Sequence, residues 1–445
     1  MNTPICDFVK KYKESAVMRL HMPGHKGIDR MGMESLDITE IVGADSLYEA
    51  SGIILESERQ ASKLFGCDTY YSTEGSSHCI RAMTYLVSLY AAKNGEKPYI
   101  LAARNCHKTF ISAAALLDID VEWIYSKDES YLSCRIDAAV LDDRLSSSER
   151  KPTAVYITSP DYLGCMADVE SIAKVCKKHG VLICVDNAHG AYLRFLNPSR
   201  HPIDLGADIC CDSAHKTLPS LTGAAYLHIG RNAPSLFSEN AKDALSLFGS
   251  TSPSYLILQS LDATNAYLEN GYEEKLAGIT EKLSSIKEML RGFGYSFYGD
   301  EPTKFTFECK KYGYYGFEIA EILQSKGIVC EFFDRDYLVL MFTPDISEGN
   351  LFKLSVVLRS IKKREEICDT APKVSISERR MSIREAIMSP SELVPLSECE
   401  GRILARLGVS CPPAVPIGVC GEVITREMIE AFKYYGIDNI SVIKK

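Results

Sequence analysis

The sequence predicts an α/β protein: a large domain built on a mostly parallel sheet, then a smaller α+β domain, then a separate C-terminal domain. Three observations carry this. Apolar runs of strand length alternate with segments of helical period through the first half of the chain. The runs are apolar at consecutive positions, as in Val181-Leu182-Ile183-Cys184-Val185, which marks strands covered on both faces. Several runs end in a polar cluster, and open parallel sheets place their ligand beyond the carboxyl ends of the strands.

Composition sets outer limits. The 445 residues are too many for one hydrophobic core. Apolar residues make up 46% and charged residues 24%, so a globular chain is expected rather than a disordered one. A formal charge of −9 argues against general affinity for nucleic acid or anionic membranes, although a local basic pocket stays open. Sixteen cysteines suggest disulfides until they are placed. Cys184, Cys210, Cys211 and Cys330 fall in apolar runs, where cysteine packs as a small hydrophobe. No pair has the C-x-x-C spacing of a zinc or redox site, so no metal is expected. Residues 1–30 carry Lys10, Lys11, Lys13 and Arg19 without the apolar stretch of a secretory signal. No run approaches the ~20 apolar residues of a membrane span. A reducing cytoplasm is the expected compartment.

The elements follow in order. Residues 1–50 read as an irregular N-terminal segment, with His21-Met22-Pro23-Gly24-His25-Lys26-Gly27 as a rigid basic loop around a Pro-Gly turn. The large domain spans 51–260, and Ile53, Ile54, Ala61 and Leu64-Phe65 at helical spacing open it, ending at Gly66. Strands are predicted over 70–73, 99–103, 121–125, 154–158, 181–185, 209–211 and 224–228, with helices over 79–92, 108–117 and 169–179. A long helical stretch runs from Ser254 to about Gly292. The α+β domain, 261–365, has strands near 304–308, 329–333 and 338–342 and helices near 317–325 and 349–361. The C-terminal domain, 366–445, passes through Cys411-Pro412-Pro413-Ala414-Val415-Pro416 and closes on a helix over 426–434 and a strand over 439–443.

Two strand-end clusters belong together chemically. The run at 181–185 ends in Asp186-Asn187-Ala188-His189-Gly190, and the run at 209–211 ends in Asp212-Ser213-Ala214-His215-Lys216-Thr217-Leu218-Pro219. A lysine and an aspartate at adjacent strand ends are what a pyridoxal phosphate enzyme needs. The lysine holds the aldehyde as a Schiff base, and the aspartate keeps the pyridine nitrogen protonated so the ring accepts electrons. Each piece alone has an ordinary reading as well. Gly75-Ser76-Ser77, between a strand and a helix, offers N–H groups, two hydroxyls and a helix dipole to a phosphate, yet serine before a helix is also a plain N-cap. His107, after the strand at 99–103, suits stacking on a planar ring or moving a proton, and equally suits a solvated helix start. Asp186 with His189 reads otherwise as a helix cap and a surface histidine, and Lys216 as an exposed loop lysine.

Together these stretches resemble the pyridoxal-phosphate-dependent ornithine/lysine/arginine decarboxylases, which have the aspartate aminotransferase-like fold (fold type I). The resemblance runs from about residue 16 to the end. It rests on the motifs at 21–27, 104–108, Thr158-Ser159-Pro160-Asp161-Tyr162-Leu163-Gly164, 186–190, 213–219 and Thr251-Ser252-Pro253-Ser254-Tyr255. In the tail it rests on Val394-Pro395-Leu396, Gly401-Arg402-Ile403 and Gly421-Glu422-Val423-Ile424. It implies that Lys216 forms the internal aldimine and Asp186 pairs with the pyridinium nitrogen. His107 would stack on the ring, Ala188 would pack on its other face, and His189 would orient the ring substituents or Asp186. Gly75, Ser76, Ser77, Ser213 and His215 would hold the phosphate, joined by a hydroxyl of Thr251 or Ser252 from a partner subunit. The N-terminal wing domain of long relatives is absent, so a homodimer or homotetramer with active sites at the subunit interface is expected.

The implied reaction is decarboxylation of a basic aliphatic L-amino acid, arginine first and then lysine or ornithine, to a polyamine-type amine and CO2 through a quinonoid intermediate. Glu422 is the candidate partner for the substrate's distal cation, since a buried carboxylate needs a cation opposite it. Three features depart from the family pattern: Asn187 where many relatives have Glu, Glu74 where Asn is more usual, and Ala44-Asp45-Ser46-Leu47-Tyr48-Glu49 in place of an acidic-His version. They leave the choice of amino acid open. Scaffold and cofactor do not choose which Cα bond breaks, so an aminotransferase or a Cα–Cβ or β-elimination lyase is the alternative. An aminotransferase would need an arginine clamp, for which Arg379, Arg380, Arg384 and Arg402 are available. A partner-binding protein without turnover is disfavoured by the presence of the lysine, the aspartate and the phosphate loop.

Overall fold

The computed structural model describes residues 1–125, 130–373, 376–407 and 413–444. Its frame is seven strands: β1 (Asp68–Ser72), β2 (Tyr99–Ala103), β3 (Asp120–Ile124), β4 (Ala154–Thr158), β5 (Leu182–Asp186), β6 (Ile209–Asp212) and β7 (Ala225–Ile229). They form one sheet in the order β1-β7-β6-β5-β4-β2-β3. Strands β4, β5 and β6 run parallel, and β7 is antiparallel to both β6 and β1. The sheet is therefore mostly parallel, as the sequence predicts. Every residue of β2, β5, β6 and β7 is buried, which is why these runs are apolar without alternation.

Packing groups the residues into two units. The first comprises Met1–Ile100, Leu141–Ser159 and Val169–Glu274. In it the register sets Thr158 beside Asp186 and Asp186 beside Cys211, so the polar ends of β4, β5 and β6 come level. The helix Ile53–Phe65 stops at Gly66, in the left-handed region at φ 72°, where glycine carries no Cβ penalty. Helices Pro4–Glu14, Ala138–Ser147 and Ser235–Phe248 go beyond the sequence reading. Pro4–Glu14 lies in the segment read as irregular; its buried residues are Pro4, Ile5 and Val9, too short a signal amid lysines. Ser235–Phe248 buries Phe237, Ala241, Ala244 and Leu245 at helical spacing. The long helical stretch is two helices, Tyr255–Glu269 and Tyr272–Gly292, broken at Gly271 with φ 71°.

The second unit comprises Leu101–Val140, Pro160–Asp168 and Lys275–Lys445. It holds a four-stranded antiparallel sheet in the spatial order Phe332–Phe333, Tyr337–Met341, Lys304–Glu308, Phe297–Tyr298. The strand expected over 329–333 shrinks to its last two residues, because only Phe332 and Phe333 pair with Val339 and Leu338. Further along, Ser391–Pro395 pairs antiparallel with Asn439–Ile443, over a core that includes Val394, Leu404, Ile424, Phe432 and Val442. Cys411 and Pro412 of the proline-rich stretch lie outside the described residues. Among the described residues, no helix is long and apolar enough to cross a membrane.

Candidate active site

The site is built where β5 and β6 end level in the first unit. Asp186, the last residue of β5, is 2% exposed. It accepts from the Ala188 N–H at 3.2 Å and the Tyr156 hydroxyl at 3.3 Å, with the Cys211 thiol at 3.8 Å. Burial pushes its carboxyl above the ordinary range, and the charge of Lys216 acts in the opposite sense. After β6 the chain turns through Ser213 into the one-turn helix Ala214–Thr217, which carries Lys216. Lys216 Nζ lies 3.1 Å from His189 Nε2. The lysine, the aspartate and His189 thus come together at neighbouring strand ends.

The second element of the site is the start of the helix Gly75–Lys93. The sequence reading opened this helix at residue 79; it begins earlier, so Ser76 and Ser77 sit in its first turn. Gly75, at φ +73°, donates its N–H to Gly223 O at 2.7 Å, and a Cβ placed on it would meet nothing within 4 Å. The space before the helix start is open. Ser213 Oγ donates to Ser76 Oγ at 2.7 Å, which fastens the lysine loop to this helix. His215 Nδ1 is 2.9 Å from Ala224 O, and burial holds the imidazole below its ordinary pKa. Hydroxyls, a neutral-leaning histidine, the start of a helix and a nearby lysine form a donor set that suits a phosphate. Glu74, exposed at the N-cap position, accepts from Ser250 N–H at 2.6 Å, so it braces the loop that carries the exposed Thr251 and Ser252.

Beneath this surface lies a polar group that sequence reasoning missed. Asp212, fully buried at the end of β6, receives Asn187 Nδ2 on Oδ1 at 2.7 Å. His201 Nε2 and His228 Nε2 both lie 3.1 Å from Oδ2. Burial works to raise this carboxyl, but the two histidines more than offset it and hold it well below the ordinary range. His201, Cys210 and Asp212 place possible metal-ligand atoms within 4.8 Å of one another. The three N–H donors already account for both carboxylate oxygens. The only signal in the sequence was an acid closing an apolar run, since its partners stand 11, 16 and 25 residues away.

Two predicted residues belong to the second unit. His107 N-caps the helix Lys108–Leu116: its Nδ1 accepts from Thr109 N–H at 3.2 Å and lies 2.9 Å from Thr109 Oγ1. Glu422, 3% exposed, accepts from Val419 N–H at 2.7 Å and faces Arg104 Nη2 at 3.5 Å. Arg104 also donates to Pro416 O and Ile417 O, each at 2.9 Å. The buried carboxylate thus has a cation opposite it within its own unit.

Comparison with known proteins agrees over almost the whole length. A family model described as "Orn/Lys/Arg decarboxylase, major domain" matches residues 3–293, and one described as "Orn/Lys/Arg decarboxylase, C-terminal domain" matches residues 362–438. An arginine decarboxylase of Bacillus subtilis (strain 168) is 28% identical, aligned over 96% of this chain and 92% of its own. An uncharacterized protein of the same organism, YaaO, is 27% identical over 97% of this chain and 93% of its own. Lysine decarboxylase A from Pseudomonas aeruginosa has the same fold, with a TM-score of 0.83 at 17% identity, covering 99% of this chain and 80% of that one.

Proposed function

The chain belongs to the Orn/Lys/Arg decarboxylase family, and from that premise we propose that it binds pyridoxal phosphate and decarboxylates a basic aliphatic L-amino acid, arginine before lysine or ornithine. The observation that carries the reading is Lys216 Nζ, 3.1 Å from His189 Nε2, at the strand end beside the buried Asp186. When bound, pyridoxal phosphate supplies a sink for the electron pair left at Cα as carbon dioxide departs. The protein's own groups do the rest. Lys216 would hold the cofactor by its aldehyde. Asp186 keeps a proton on the pyridine nitrogen. Lys216 and His189, within hydrogen-bond reach of each other, are the pair that returns a proton to Cα. Ser76, Ser77, Ser213 and His215 hold the phosphate, and a partner subunit's Thr251 or Ser252 completes the grip. The exposure of that loop supports a homodimer or homotetramer. Arginine is placed first because the arginine decarboxylase of B. subtilis aligns over nearly the whole chain. A core rich in buried thiols supports a reducing, cytoplasmic setting.

The arginines available for an aminotransferase clamp support decarboxylation instead, because each is engaged within its own unit. Arg379 donates to Val121 O at 2.5 Å, and Arg384 to Ala115 O and Leu116 O at 2.9 and 3.0 Å. Arg402 binds Glu392 at 2.6 Å, and Arg380 binds Glu378 at 3.1 Å. The test supplies the cofactor-loaded protein with carboxyl-labelled L-arginine, L-lysine and L-ornithine and follows labelled CO2 and the amine. Arginine is expected to give both, with neither from Lys216→Ala, which also loses the borohydride-trapped cofactor adduct. Transfer of the amino group to a keto acid without CO2 release would establish the aminotransferase reading in its place.

A further inference from the structure

We propose that Asp212 is a positioning residue: a buried carboxylate that ties the strand end bearing Asp186 to the strand end bearing Lys216 through the side-chain amide of Asn187. The proposal rests on the cofactor reading above. The chain offers two loops that must hold a fixed spacing, one following Asp186 and the other carrying Lys216. Asn187 follows Asp186 directly. Its backbone N–H donates to Cys211 O at 3.0 Å and its Nδ2 to Asp212 Oδ1 at 2.7 Å, so two bonds pin it to β6. On the other side, Asp212 directly precedes Ser213, which donates to Ser76, and Lys216 N–H donates to Ser213 O at 3.0 Å. One carboxylate therefore stands between the ring-nitrogen partner and the phosphate grip.

The chemistry of the group favours a fixed clamp over a mobile one. Asp212, Asn187, His201 and His228 are each 0% exposed. A buried anion is tolerated when all its lone-pair directions meet donors, and here three N–H groups converge on two oxygens. His228 Nδ1 is in turn 3.0 Å from Thr69 Oγ1, which fixes the tautomer that presents Nε2–H to Asp212. The orientation of Asn187 is dictated as well, since turning its carbonyl toward Asp212 would set acceptor against acceptor. Gly190 leaves room for it: a Cβ there would stand 2.0 Å from Asn187 Oδ1. The same geometry explains the first departure from the family pattern. With a carboxylate at 212, an acid at 187 would put two buried negative charges in contact, and an amide removes the conflict.

The test uses the full chain with pyridoxal phosphate in Asn187→Asp, Asp212→Asn and the double variant that exchanges the two. Three quantities are read: the cofactor dissociation constant, the pH midpoint of the bound cofactor's absorbance, and the melting midpoint without cofactor. Each single change should weaken cofactor binding by about tenfold or more and displace the absorbance midpoint. The exchange rebuilds an amide-to-carboxylate contact and should return affinity to within about threefold. Asn187→Ala takes the amide donor from Asp212 Oδ1 but leaves Oδ2 on its two histidines, so it should lower the melting midpoint less than Asp212→Asn while weakening the cofactor about as much, and the test stands even if Asp212→Asn does not fold. Singles and Asn187→Ala that hold affinity and absorbance midpoint within about twofold, or an exchange no better than the worse single, would overturn the proposal. An unmodified protein that forms no borohydride-trapped adduct would instead remove the cofactor reading itself.

Discussion

Glu422 and Arg104 show how one buried ion pair separates a structural role from a substrate role. Their side chains are 4% and 11% exposed, so removing the cation leaves an uncompensated carboxylate. Arg104→Met should cost about 3–5 kcal/mol in urea unfolding, the range for breaking one side of a buried pair. Glu422→Gln keeps the shape and discards the charge. If Glu422 serves the substrate's distal cation, that change raises KM for arginine at least tenfold with little change in kcat. If it serves Arg104 alone, KM holds and stability falls. His228 gives a second test at this scale. It faces Asp212, His201, Cys67 and Thr69, and burial keeps its pKa below the ordinary 6.5. As pH falls through 6.5, the unfolded chain takes a proton that the folded one refuses, so this contribution is present above that pH and lost below it. Urea midpoints from about pH 8 to about pH 5 should fall, and His228→Gln should flatten the fall.

Among the elements, the strand ends matter most, and they were also the most legible. The placement of Lys216 and Asp186 could be read because each stands at or just past the end of an apolar run, and the sheet sets the ends of those runs level. The helix Gly75–Lys93 was legible as an element but not at its start, because Gly75 uses a positive φ to enter the helix earlier than hydrophobic period suggests. Asp212 was not legible as a hub. Its histidines come from a loop and from β7, and no local pattern announces a contact made by tertiary folding. Gly190→Ala probes the packing of this turn. The new methyl would meet Asn187 Oδ1 at 2.0 Å and Leu193 Cδ1 at 2.7 Å, so a loss of about 1–3 kcal/mol is expected in urea unfolding.

At the scale of the whole molecule, the mostly parallel sheet and the family membership of both segments were readable from motifs in order along the chain. Helices such as Pro4–Glu14 and Ser235–Phe248 were not, since their apolar faces are short or rely on alanine. Assembly is tested by light scattering on the 49.4 kDa chain, where a mass of two or four chains is expected. Mixing Lys216→Ala subunits with Thr251→Ala/Ser252→Ala subunits should then give hybrids with tighter cofactor binding than the second parent. The hydrogen-bonded knot of Asp212, Asn187, His201 and His228 forms entirely from the chain's own groups. Such a knot would hold the two loops at their spacing without a cofactor atom, so loading is expected to need no folding step. Stopped-flow reconstitution should run as a single exponential with no lag, at a rate that rises in proportion to the pyridoxal phosphate added.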